Sequence, residues 1–65
     1  DRDTLSKSQV LTASLLELKG DSESALGNFE LARVSYLTAL QNSPSQTSRA
    51  LINMKISDLE GETID

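Results

Sequence analysis

The sequence predicts an all-α fold, a helical hairpin followed by a third helix. Apolar residues recur at spacings of three and four in three segments, which is the pattern of an amphipathic helix. No stretch alternates apolar and polar residues over the length of a strand, and Gly or Pro separates the three segments. We therefore expect a single helical domain over residues 1–65, with helices at about 5–19, 22–42 and 47–60.

The first predicted helix carries a stripe of leucines. Leu11, Leu15 and Leu18 follow one another at spacings of four and three, so they share one side of the helix. Gly20-Asp21 is expected to end this helix, because glycine readily adopts the left-handed conformation that closes a helix.

The second predicted helix has the clearest periodicity in the chain. Its stripe, at spacings of four, three, four and four, consists of Ala25, Phe29, Ala32, Tyr36 and Leu40. Gly27 lies inside this helix, at a cost of about 1 kcal/mol relative to alanine. Ser43-Pro44 is expected to end it, because proline disfavours the helical conformation of the residue before it.

The third predicted helix begins after this proline, where Ser45 or Thr47 can supply a capping oxygen, and Gly61 is expected to end it. The connections are short, so successive helices should pack antiparallel. The predicted core joins the stripes of all three helices: Leu11, Leu15, Leu18, Ala25, Phe29, Ala32, Tyr36, Leu40, Ile52, Ile56 and Leu59.

Composition limits the function classes. Six basic residues face ten acidic ones, and the net charge of −4 disfavours binding to nucleic acid or to an anionic membrane. Without Cys or His, the chain lacks disulfides, the usual zinc ligands and the usual nucleophile–base pairs, so we expect no enzyme activity, metal, cofactor or small-molecule substrate. The lack of Cys suggests the cytoplasm. Because the chain begins at Asp1, we expect a fragment of a longer protein.

Some apolar residues lie off the three stripes, namely Val10 and Leu16 in the first helix and Leu51 and Met54 in the third. A chain of this length buries only about 60% of its unfolded surface, so it depends on good helix packing or on association. The surplus apolar residues therefore predict a further neighbour, either another protein or a second copy of the chain.

The second helix and its turn resemble the tetratricopeptide repeat, a helix–turn–helix unit. In a first register, Gly20-Asp21 is the turn, Ala25, Phe29 and Ala32 pack against the first helix, and Ala13 is that helix's small residue. The proline that the repeat pattern places at position 37 is absent, because Leu37 stands there.

In a second register, the turn is Gly27-Asn28-Phe29 and Gly20 is the small residue of the first helix. Every later position matches, namely Ala32, Tyr36, Ala39 and Pro44. Residues 19–24 are then helical, although they are polar or flexible and unsuited to a buried helix interior. On this ground we prefer the first register, with a plain three-helix bundle as the alternative fold.

The resemblance implies a protein-binding scaffold whose first helices line a peptide groove, and Asn53 matches an asparagine often found there. The function that we expect is protein–protein interaction, as a scaffold or adaptor. The alternative is a self-associating helical domain of a larger protein, which forms dimers or higher oligomers. The predicted contact surface consists of Val10, Leu51, Asn53 and Met54.

Overall fold

The computed structural model describes residues 2–43 and 45–63, with side chains over residues 8–43 and 45–61. The described residues form three helices and no strand: α1 spans Arg2–Ala25, α2 spans Phe29–Asn42 and α3 spans Gln46–Thr63. α1 is about 36 Å long and α2 about 21 Å, at the usual rise per residue. The prediction of an all-α fold with a hairpin and a third helix is confirmed.

The hairpin turn lies at residues 26–28, so the predicted helices at 5–19 and 22–42 are wrong at their junction. Gly27 has φ of 84°, in the left-handed region that favours glycine. Its amide donates to the Ser24 carbonyl at 3.0 Å, and the amide of Asn28 donates to that of Glu23 at 2.8 Å. This pair of bonds is the Schellman motif, which satisfies carbonyls at the end of a helix.

Gly20 does not end a helix, contrary to the prediction, but lies inside α1 and is buried. A β-carbon built there would lie 2.5 Å from Cε1 and 2.7 Å from Cδ1 of Tyr36. Glycine at this position therefore lets the aromatic ring of α2 pack directly on the backbone of α1. The second register describes this hairpin, and our preference for the first register is corrected.

The polar segment 19–24 is helical, as the second register requires, and its surroundings explain why. Only one side of α1 packs against α2, so Lys19 and Ser22 are exposed to solvent. Asp21 and Glu23 are half-buried, and each accepts a hydrogen bond from a side chain of α2. Polar residues in this segment therefore stabilise the packing without an unpaired buried group.

Small residues bring α1 and α2 close together, and α3 also packs against α2. The buried cluster consists of Ala32, Tyr36, Ala39, Ile52 and Leu59. Leu16, Phe29, Leu40 and Ile56 are half-buried against it. Ala13 is also buried, as the small residue that the first register had assigned to the first helix.

Part of the predicted core is wrong. Leu11, Leu15 and Leu18 are 65%, 67% and 61% exposed, and Ala25 is exposed at the end of α1. α1 packs against α2 with a different side, and that side carries Ala13, Leu16 and Gly20. On a helix with 3.6 residues per turn, the leucine stripe lies opposite this packed side and faces solvent.

The ends of the other helices follow the prediction in part. α2 ends at Asn42, with Ser43 extended at φ −86° and ψ 120°, as the Ser43-Pro44 pair predicts; Pro44 itself lies outside the described residues. At the start of α3, Ser45 Oγ accepts a hydrogen bond from the Ser48 amide at 3.3 Å, which confirms Ser45 as a cap. Gly61 does not end α3, which continues to Thr63.

Candidate functional site

α1 and α3 both pack against α2. The ammonium of Lys55 on α3 links them, with its Nζ 2.6 Å from Oε2 of Glu17 and 3.1 and 3.2 Å from the two carboxylate oxygens of Asp21. The Lys55 side chain is 27% exposed and that of Glu17 is 21% exposed, so water only partly screens this ion pair. The link fixes the spacing of the two helices on this side of the molecule.

Tyr36 of α2 also belongs to this cluster, because it contacts both Asp21 and Lys55. Its hydroxyl donates a hydrogen bond to Oδ1 of Asp21 at 2.5 Å, and the Nζ of Lys55 lies 5.9 Å from the centre of its ring. This separation is within the range of a cation–π interaction. Tyr36 therefore contacts the charged groups of both neighbouring helices, and the cluster ties all three helices together.

Tyr36 and Lys55 both keep their protons over the neutral pH range, because the pKa of each is raised. Burial raises the pKa of Tyr36 well above its usual value, and the hydrogen bond and charge of Asp21 and the charge of Glu17 add to the effect. Burial lowers the pKa of Lys55, but the hydrogen bonds to Glu17 and Asp21 and their charges outweigh burial, and the net shift is upward. The phenol is thus neutral and the ammonium charged.

Sequence reasoning missed this cluster, because it assigned Asp21 to a turn. The available signal was the spacing of Glu17 and Asp21, which places two carboxylates one turn apart on a helix. Lys55 directly precedes Ile56 of the third apolar stripe. A register with residues 19–24 in the helix would have suggested that the two carboxylates share a cationic partner.

A cleft of about 300 Å³ opens beside the cluster, between the end of α1, the start of α2 and the second half of α3. Its lining combines apolar and polar side chains, namely Ser24, Phe29, Tyr36, Lys55, Asp58 and Leu59. Tyr36 and Leu59 are buried and Phe29 is half-buried, so the floor of the cleft is aromatic and aliphatic. Asp58 is exposed and stands at the rim.

The residues of the predicted contact surface are all exposed, but they do not share one side of the molecule. Val10 precedes Glu17 by about two turns of α1, and Leu51 precedes Lys55 by about one turn of α3. Each therefore lies on the same side of its helix as the charged link between Lys55, Glu17 and Asp21. Met54 lies next to Leu51 around the helix axis. We call the surface formed by these residues the α1–α3 face: Val10, Glu17, Asp21, Leu51, Met54 and Lys55.

Asn53 lies elsewhere, because two residues correspond to a rotation of about 200° around a helix. It therefore points away from the side of α3 that carries Leu51. A role of any of the four predicted residues in binding stays a prediction.

Two further exposed apolar stripes were missed as surface. One is the leucine stripe of α1, which the sequence had placed in the core. The other lies on α2, where Leu31 is 56% and Val34 is 59% exposed. Both stripes lie on sides of their helices that no described residue covers.

The described residues contain no group of three or more Asp, Glu, His or Cys side chains that could hold a metal ion. In the same part of the chain, no helix combines the length and the apolar composition needed to cross a membrane.

Comparison with known proteins identifies a family. A family model described as "Tetratricopeptide repeat-like domain" matches residues 4–61, which is most of the chain. Neither a search of curated proteins nor a search of solved structures gave a match. The match includes all of α2 and nearly all of α1 and α3, so it agrees with the helical hairpin and third helix described above. The chain belongs to the tetratricopeptide repeat-like domain family, whose members are helical protein-interaction modules and generally non-catalytic.

Proposed function

We propose that this chain acts as a scaffold or adaptor that binds an extended segment of another protein along the α1–α3 face. The observation that carries the proposal is the combination on one surface of exposed aliphatic side chains and a fixed charged link. Val10 and Leu51 are each 48% exposed and Met54 is 64% exposed, while Lys55 is held between two carboxylates. Protein interfaces combine such apolar anchors with polar groups that fix orientation.

The rigidity of the face supports the same function. Lys55, Glu17 and Asp21 hold α1 and α3 at a fixed spacing before any partner binds. A preformed surface loses less conformational entropy on binding than a mobile one, and more of the contact energy then appears as affinity. Asn53 lies on another side of α3, so we expect it to contact a different segment of a partner.

The net charge of −4 favours a protein partner over nucleic acid, and the absence of Cys favours the cytoplasm. The location is checked by fractionating cells that produce the protein.

The experiment is a selection of peptides from a displayed random library on the immobilised chain, followed by calorimetric titration of the selected peptides. Leu51→Asp should weaken binding about tenfold, because it removes a half-exposed apolar anchor. Leu31→Asp is the matched control, since Leu31 is 56% exposed and lies on α2. The proposal is overturned if no peptide is selected, or if Leu31→Asp weakens binding as much as Leu51→Asp.

A second candidate function, self-association, is favoured by the leucine stripe of α1. Leu11, Leu15 and Leu18 have the four-and-three spacing that lines the seam between paired helices, and all three are largely exposed. Sedimentation equilibrium over a concentration series tests it. A dimer that Leu15→Lys dissociates and Leu51→Asp leaves intact would establish self-association through this stripe, and a monomer at every concentration would exclude it.

A further inference from the structure

The cleft beside the charged cluster carries an inference about the chemistry of the partner, and it rests on the proposed function. We infer that this cleft is a subsite for one long cationic side chain, an arginine or a lysine, of a basic partner segment that lies along the α1–α3 face. Lys55 belongs both to that face and to the lining of the cleft, so one segment can reach both.

The shape and the floor of the cleft suit such a side chain. Its volume of about 300 Å³ is at the lower end of the range of ligand pockets, which fits one side chain and excludes a folded element. Phe29, Tyr36 and Leu59 supply an apolar floor. Arginine and lysine pack their aliphatic stems on such surfaces and keep their charged heads in a polar rim, and the half-buried ring of Phe29 attracts the cation further.

The charge around the cleft favours a positively charged ligand. Lys55 is the one cation of the lining, and it is already bound to Glu17 and Asp21. Asp58 adds a third carboxylate at the rim, and no described side chain forms an ion pair with it. The ammonium of Lys55 and the three carboxylates together have a net charge of −2, and the chain as a whole has a net charge of −4. A cation therefore gains attraction on approach and at the site.

An acidic segment does not fit the same place. Its carboxylate would have to bind Lys55, whose Nζ lies 2.6 Å from Glu17 and 3.1 Å from Asp21. Breaking these contacts would leave two partly buried carboxylates without their cation, next to a new negative charge. A cationic head, by contrast, can bind Asp58 and the hydroxyl of Ser24 while the existing contacts remain.

The direct experiment uses two small probes with the isotope-labelled chain in solution. Nα-acetyl-arginine amide carries the guanidinium, and Nα-acetyl-citrulline amide has nearly the same shape without the charge. Amide shifts in the nuclear magnetic resonance spectrum should saturate at Ser24, Asp58 and Leu59. The arginine probe should bind about fivefold tighter, because the citrulline probe donates the same hydrogen bond without a positive charge. Equal affinities, shifts elsewhere, or no saturable shift would overturn the inference.

Asp58→Asn should reduce the affinity for the arginine probe to that for the citrulline probe. Glu30→Gln is the control of equal charge change, since Glu30 is exposed on α2 and outside the cleft lining, and it should leave the affinity within twofold. An effect of Glu30→Gln as large as that of Asp58→Asn would mean that net charge alone attracts the probe, and would overturn the subsite.

The peptide selection separates this inference from the proposed function. Selected peptides should be rich in arginine or lysine and should bind more weakly to Asp58→Asn. Peptides that depend on Leu51 but are neutral or acidic, and that bind Asp58→Asn unchanged, would sustain the proposed function and overturn the cationic subsite. If no peptide is selected while the arginine probe still binds in the cleft, the proposed function fails and the subsite stands.

Discussion

Replacing Gly20 with alanine tests the packing of the helical hairpin at its closest point. The new methyl group would lie 2.5 Å from Cε1, 2.7 Å from Cδ1 and 3.0 Å from Cζ of Tyr36. Carbon atoms need about 3.5 Å, so the ring or α1 must move. The ring cannot turn aside freely, because Tyr36 is only 3% exposed and its hydroxyl is bound to Asp21.

Two effects of opposite sign determine how Gly20→Ala changes the free energy of unfolding. Alanine favours the helix over glycine by about 1 kcal/mol, which would stabilise α1. Overpacking a rigid site costs about 1–3 kcal/mol, and the loss of the hydrogen bond between Tyr36 and Asp21 would add about 1 kcal/mol. The gain in helix propensity and the loss of the hydrogen bond cancel, so we expect a net loss of about 1–3 kcal/mol in the free energy of unfolding.

The assay is urea unfolding followed by far-ultraviolet circular dichroism, with Gly61→Ala as the matched control. A methyl group at Gly61 meets no atom within 4 Å, so the control should gain a few tenths of a kcal/mol from helix propensity. A Gly20→Ala chain that is as stable as Gly61→Ala would refute the reasoning. It would mean that the ring of Tyr36 does not lie on the backbone of α1.

The remaining predictions concern the turn and the charged cluster. Gly27→Ala should lower the free energy of unfolding by about 1 kcal/mol, although space is free around it, because φ of 84° is strained for alanine; an unchanged urea midpoint would contradict the turn. Lys55→Met should lower it by about 1–2 kcal/mol, and adding Glu17→Gln should restore part of the loss; if the second substitution instead adds a further loss, the two charges are not coupled. The raised pKa values of Tyr36 and Lys55 mean that their contribution to stability is fully present below about pH 10 and is lost as the pH rises further; Tyr36→Phe should flatten this loss. The same shift can be read from tyrosinate absorbance, since Tyr36 is the one tyrosine of the sequence, and titration at the ordinary pKa of a free tyrosine would contradict its burial.

The helical class and the core of α2 and α3 could be predicted from periodicity, because Ala32, Tyr36, Ile52 and Leu59 are buried as expected. The hairpin turn could not be placed in the same way. Gly20 and Gly27 are seven residues apart, and the spacing of alanines and aromatics repeats along the stripe, so two registers fit the same pattern. Periodicity specifies a side of a helix but not its end.

The two registers differ in whether the polar segment 19–24 is helical. The segment 19–24 was excluded from a helix on the assumption that it would be buried, whereas Lys19 and Ser22 face solvent and Asp21 and Glu23 form hydrogen bonds with side chains of α2. The leucine stripe of α1 was expected in the core from its periodicity alone, which does not distinguish a packed side of a helix from an exposed one. The charged cluster and the cleft depend on contacts between residues 15 to 38 positions apart, which no local pattern reveals.

The central claim is that a partner segment lies along the α1–α3 face. Mapping amide shift changes on the labelled chain, as a selected peptide is added, tests it most directly. The largest changes are expected on Val10, Glu17, Leu51 and Lys55, and they should continue to Asp58. Changes confined to the leucine stripe of α1, or to Leu31 and Val34 on α2, would contradict it.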